Sequence, residues 1–134
     1  MAPTQRPAPM HAGAVIAVTD LDAAREFYEG LLGLTGAPTP GGHVLQADGG
    51  TVVYLLPGIP TAGSADWPVA SFRVDDLRPV VRELRARGVA FLGPDDLPFT
   101  LDDDGISDTD EMQVAWIRDP DGSILTVFTL TTDG

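Results

Sequence analysis

Two stretches of the chain share one pattern of apolar and polar positions. "AVIAVTDLDAAREFYEGLLGL" (residues 14 to 34) and "ASFRVDDLRPVVRELRARGVAF" (residues 70 to 91) each begin with alternation and pass through an acidic turn. Both then switch to helical spacing and end near a glycine. Ala14, Val18, Asp20 and Leu21 recur as Ala70, Val74, Asp76 and Leu77, each pair 56 positions apart. Alternation places successive side chains on opposite faces of a strand. Leu21, Ala24, Tyr28 and Leu31 then follow the spacing of one helical face, as do Leu77, Val80, Val81 and Leu84. Asp20 and Asp76 stand where a carboxylate can accept from the free amides of a first helical turn. Gly33 and Gly88 stand where a left-handed C-cap is wanted. Arg82, Arg85 and Arg87 gather late in the second helix, complementing its dipole.

Strand signals follow each helix. In the first half they are "GHVLQAD" and "GTVVYLLPG". In the second they are "EMQVAWIRD" and "SILTVFTL", joined by the turn sequence "DPDG". Each half therefore reads as β-α-β-β-β with one early strand weakly marked. The expected fold class is α+β: tandem βαβββ modules in one domain over 10–134. Module one spans 10–58, a Gly/Pro/Ser-rich linker 59–66 and module two 67–131, behind a disordered tail over 1–9.

Composition narrows the partners. The formal net charge of −12 disfavours nucleic acid and anionic membranes and favours cationic ligands. No cysteine is present, which rules out disulfides and Cys-based zinc sites. No apolar run is long enough for a membrane span or signal peptide, so a cytoplasmic protein is expected. "TLDDDGISDTDE" (residues 100 to 111) places Asp102, Asp104, Gly105, Asp108 and Glu111 at EF-hand-like spacing. It lacks the flanking helices, holds Thr100 at the first ligand position, and reads as a solvated acidic connection.

The segments "VTDLDAAREFYEGLLGL", "FRVDDLRPVVRELRARGVAF" and "VAWIRDPDGSILTVF", taken with the duplication, resemble the vicinal oxygen chelate superfamily. That superfamily includes glyoxalase I, extradiol dioxygenases and bleomycin resistance proteins. The resemblance covers residues 12 to 130 and implies paired modules whose strands form a curved mixed sheet around a cavity. It does not imply one activity. In the family's metal enzymes the ligand positions map here to Gly13, Val69, Thr126 and either Val53 or Tyr54. Gly13, Val69 and Thr126 carry neither imidazole nor carboxylate, the donors a divalent metal needs. No metal, cofactor or catalytic residue is therefore expected. His11, about 6.6 Å along a strand from Gly13, and His43 read as frayed or surface histidines.

Alternation also predicts the cavity wall. Ala14, Ile16, Val18, Ala70, Phe72 and Val74 should pack beneath the helices. The opposite parity holds Gly13, Val15 and Ala17, then Val69, Ser71 and Arg73, joined by Ile124, Thr126 and Phe128. The candidate ligand-binding residues are Val15, Val69, Ser71, Thr126 and Phe128, with Tyr54, Trp67, Phe99 and Trp116 as stacking groups. Arg73 reads as a strand-end residue in solvent or, alternatively, as a group that could neutralise a ligand carboxylate or phosphate. A small, uncharged, apolar wall suits burial of an organic molecule. The expected function is therefore a small-molecule binder resembling the bleomycin resistance branch, sequestering an aromatic or cationic antibiotic-like compound as a homodimer. The acidic segment Asp102 to Glu111 would act as a field near the cavity mouth. The alternative is a divergent glyoxalase- or dioxygenase-like lyase or isomerase with a non-standard or absent metal site.

Overall fold

The computed structural model describes residues 7–131. Most of the tail expected over 1–9 lies outside the described residues. Strand β1 (Gly13–Ala17) leads into helix α1 (Leu21–Arg25), which runs on into a wider π-helical turn over Glu26–Leu31. Three strands follow: β2 (Thr35–Thr39), β3 (Gly42–Gln46) and β4 (Val52–Leu56). The second half repeats the series with β5 (Pro68–Arg73), α2 (Leu77–Ala86), β6 (Ala90–Phe91), β8 (Met112–Arg118) and β9 (Ile124–Leu130). A short extra strand, β7 (Ser107–Asp108), pairs with β8.

The strand order is β1-β4-β3-β2 in one sheet and β5-β9-β8-β6 in the other, so the two halves have the same topology. In each, the first strand pairs in parallel with the last and the remaining pairs are antiparallel. The weakly marked strands are β2 and β6. "TGAPT" lacks alternation, but Pro38 is tolerated because β2 lies at a sheet edge. β6 has shrunk to a pair of residues.

Side-chain parity holds in most places. Ile16, Val18, Leu45, Val53 and Leu55 are buried with Phe27 and Tyr28 from the first helical segment. Leu125, Val127, Ala115 and Ile117 are buried with Leu77, Val81 and Leu84 from α2. These form one continuous core spanning both halves, with Ala14, Ala70, Phe72 and Val74 packed against it. Strand β5 departs from strict alternation. Its register shifts between Pro68 and Ala70, so Val69 sits in a bulge and packs partly against the core.

Polar contacts lock the halves together. The buried Tyr28 hydroxyl donates to Asp119 Oδ2 at 2.8 Å, while Asp119 Oδ1 accepts from the amides of Asp121 and Ser123. Asp121 in turn accepts from the Thr19 amide and hydroxyl. The "DPDG" turn of the second half is thus plugged into the strand–helix turn of the first. Gly63 (φ +81°) crosses this turn so closely that a Cβ would lie 2.0 Å from the Asp121 carbonyl oxygen. Only a glycine fits there. At the other end, Arg87 Nη1 donates to the Leu31 carbonyl at 2.9 Å.

Candidate functional site

With helices on one face of each sheet, the other faces are left open, and the pairing registers place the candidate residues in rows. On the first sheet Val15 stands beside Tyr54, and Tyr54 beside Val44. Val15 is 59 % exposed. On the second sheet Trp116, Thr126 and Ser71 form one row, and Val114, Phe128 and Arg73 form the next. Thr126 Oγ1 donates to Ser71 Oγ at 2.6 Å, joining the first of these rows.

These residues do not converge on one chamber. At the linker end of β5, a hollow of about 380 Å³ is lined by Val15, Ala17, Val69 and Trp67 with linker residues Thr61 to Ala65. A second hollow, of about 460 Å³, shares Trp67 and continues over Pro68, Leu97, Pro98, Phe99, Trp116 and Ile124, with Asp66, Asp96 and Arg118 also in its lining. Ser71 and Phe128 belong instead to a cleft of about 580 Å³ at the other end of β5.

The aromatic groups of the linker end differ in what they can offer. Phe99 lies flat on Trp116, ring centroids 5.3 Å apart and planes 13° apart. Trp116 is buried by this stack, so an incoming planar molecule meets the free side of Phe99. Trp67 is 64 % exposed and borders both hollows. Leu92, Trp116 and Ile124 form a small separate core beneath, which holds the Trp116 ring in place. Linker residues 61–65 and the Leu97–Pro98 turn were missed as wall elements by the strand-parity reading. The available signal was Trp67 itself, a large aromatic closing a Gly/Pro-rich stretch.

The positions implied as metal ligands are Gly13 on β1, Val69 in the β5 bulge, Thr126 on β9, and Val53 or Tyr54 on β4. This donor set does not fit a divalent cation. Among the described residues, no group of three or more His, Asp or Glu converges. His11 is exposed, as expected. His43 corrects the expectation of a surface histidine: it is 3 % exposed and pairs in register with Leu55, facing the core beside Ile16. Its Nε2 lies 3.3 Å from Glu29 Oε2 yet has no hydrogen-bond partner. Gly36 makes room for it, since a Cβ there would stand 2.4 Å from that nitrogen. The imidazole is therefore turned away from the open face.

The acidic segment is also placed differently from expectation. Arg78 on α2 pairs with Asp102 at 2.9 Å and with Asp104, which Arg82 also reaches at 3.2 Å. Asp102 Oδ1 closes the loop by accepting from the amides of Asp104 and Ile106. Burial works against the Asp102 charge, but Arg78 and the two amides outweigh it and hold its carboxyl below the usual range. The Arg78 hydrogen bond lowers Asp104 likewise. This loop lies on the helix side of the second sheet, clipped to α2, and not at the mouth of the open face.

A sequence model of the Glyoxalase/Bleomycin resistance protein/Dioxygenase superfamily matches residues 11–127. The chain belongs to that superfamily. Among solved structures, it is similar to UcmS2, with 17 % identity, TM-score 0.69, and coverage of 92 % of this chain and 100 % of the other. TnmS3, an antibiotic binding protein from Streptomyces sp. CB03234, shares 24 % identity at TM-score 0.61, covering 90 % and 97 %. A glyoxalase/bleomycin resistance protein/dioxygenase from Nocardioides shares 20 % identity at TM-score 0.66, covering 98 % and 89 %. No curated protein matches the chain in sequence. Among the described residues no helix is long and apolar enough to cross a membrane.

Proposed function

We propose that this superfamily member binds an aromatic or polycyclic small molecule over the linker end of its open face and sequesters it without chemical change. The carrying observation is the exposed aromatic surface of Trp67 and Phe99, backed by the buried Trp116, beside contiguous hollows. Stacking on held rings adds about 0.5–1.5 kcal/mol beyond the area buried. The rest of the lining mixes apolar side chains with a few polar and charged ones, and the implied ligand positions offer neither imidazole nor carboxylate for Lewis-acid chemistry. TnmS3, described as antibiotic-binding, shares the fold and makes an antibiotic-like ligand a reasonable class. Asp66 and Asp96 border the hollow, and the net charge of −12 adds a field favouring a cationic aromatic. The cysteine-free chain fits a cytoplasmic setting.

The exposed face with Val15, Tyr54 and Leu56 supports a homodimer in which a second copy completes the wall. Light scattering at about the monomer mass would contradict that part. The binding claim is tested with proflavine, a cationic planar aromatic, and acridone, a neutral one, by tryptophan quenching and native mass spectrometry. Trp67→Ala and Phe99→Ala should each weaken proflavine binding about tenfold, equivalent to about 1.4 kcal/mol. Unchanged affinity in both variants would overturn the assignment.

A further inference from the structure

A hollow larger than either of those at the linker end lies outside the aromatic site. The cleft at the helix end of β5, about 580 Å³, is walled by Leu32 and Leu34 of the first half and by Val80, Leu84 and Phe128 of the second, with Ala47, Asp48 and Thr51 at one side. Its single cationic lining residue is Arg73.

That arginine stands apart from the others. All eight basic residues of the chain are arginines, set against 20 carboxylates. Among the described arginines, Arg25, Arg78, Arg82 and Arg87 each pair with a carboxylate. Arg85 donates to the Asp104 carbonyl and lies over the Phe91 ring, and Arg118 donates to the Gly122 carbonyl. The Arg73 side chain has no hydrogen bond or ion pair within the described residues. Two residues before it on the same face of β5, Ser71 accepts from Thr126, which leaves its own hydroxyl proton free to donate. Next-but-one residues on a strand are about 6.6 Å apart, a span that a long guanidinium side chain folds back across.

The geometry points to a second ligand site here, for a monocarboxylate carried on an apolar body. One carboxylate oxygen would accept from Arg73 and the other from Ser71. The hydrocarbon portion would lie along Leu32, Leu34, Val80 and Phe128. A single charge is specified by the surroundings. Asp48 shares the cleft and the chain as a whole is strongly negative, so a phosphate or dicarboxylate is repelled while one short-range pair with Arg73 suffices for a monoanion. This site is independent of the aromatic one, which lies at the opposite end of β5 and carries no unpaired arginine.

The probe is 2-naphthoate, compared with its neutral isostere 2-naphthamide, by isothermal titration and by amide chemical shifts. The wild-type protein should bind 2-naphthoate at least tenfold more tightly than 2-naphthamide. Shifts should concentrate at Ala47, Asp48, Thr51, Ser71 and Val74. Arg73→Met should abolish the preference for the anion while leaving the melting temperature unchanged, and Ser71→Ala should reduce it several-fold. Trp67→Ala should leave naphthoate binding intact even though it weakens proflavine, which separates the two sites. Equal binding of acid and amide would overturn the proposal. So would an unaltered preference in Arg73→Met, or loss of naphthoate binding in Trp67→Ala alone.

Discussion

The two halves share a strand order, an aspartate before each helix and a glycine after it, yet they are finished by different means. In the first half Asp20 caps its helix directly, its Oδ1 accepting from the amides of Asp22 and Ala23, and a five-residue β2 completes the sheet edge. In the second, Asp76 occupies the cap position without a side-chain hydrogen bond, and β6 is only two residues long. The rest of that edge is taken by β7, which lies in the long acidic connection whose carboxylates are held by Arg78 and Arg82 on the helix itself. Backbone pairing alone finishes one half, and the other adds charge pairs to it. The first solution should be nearly indifferent to pH and salt, and the second should not.

The contact that the halves share should give the largest effect. Asp119→Ala removes the acceptor for Tyr28 and for two backbone amides, and should destabilise by about 3 kcal/mol in urea unfolding, with Tyr28→Phe costing about half as much. Burial raises the Asp119 carboxyl above its ordinary value, against the opposing hydrogen bond from Tyr28. The folded form therefore binds a proton more readily than the unfolded chain. The proton-linked part of its contribution is fully present below the unfolded value and is lost as pH rises through the raised one, while the hydrogen bonds to the carboxylate remain.

Next in size is Arg78→Met. Asp102 and Asp104 have lowered folded-state values, so their contribution is present above about pH 4 and lost as pH falls through those values. Stability measured by denaturant between pH 7 and pH 3 should fall less steeply in the variant, and added salt should reduce the difference from wild type. An equally steep acid limb would mean that the clip is merely surface charge.

The smallest effect gives the sharpest contrast. Asp20→Ala should cost about 1 kcal/mol and Asp76→Ala much less, because only the first carboxylate is bonded to its helix. Equal losses would remove the distinction between the halves.

How much could be read beforehand depended on whether a feature is local. The duplicated plan, the helix faces and the glycine ends were legible because local spacing carries them: Ile16 and Val18 beneath the first helical segment, Val81 and Leu84 on the buried face of α2. Strand β2 was only weakly legible, since "TGAPT" has neither alternation nor β-branched runs and exists only because β3 offers it a partner. The wall residues on β1, β5 and β9 could be assigned to a face by parity. Their division between opposite ends of β5 could not, because it depends on where residues 61–65 and 97–99 fold back. His43 was misread for a related reason. A lone histidine on a short strand carries no sign of the helix that will cover it. Arg78 and its carboxylates were visible as charges, but a separation of 24 and 26 positions gives no spacing rule by which to pair them.

The Tyr28–Asp119 bond joins groups 91 positions apart in the chain. Synthesis runs from the N-terminus, so the first half emerges from the ribosome long before its hydroxyl has an acceptor. Until residue 119 follows, Tyr28 must stay in water or be buried with its hydroxyl unmet, and either outcome weakens the first core. The first half therefore cannot satisfy this core hydroxyl until residue 119 has been made, although each half on its own looks like a folding unit.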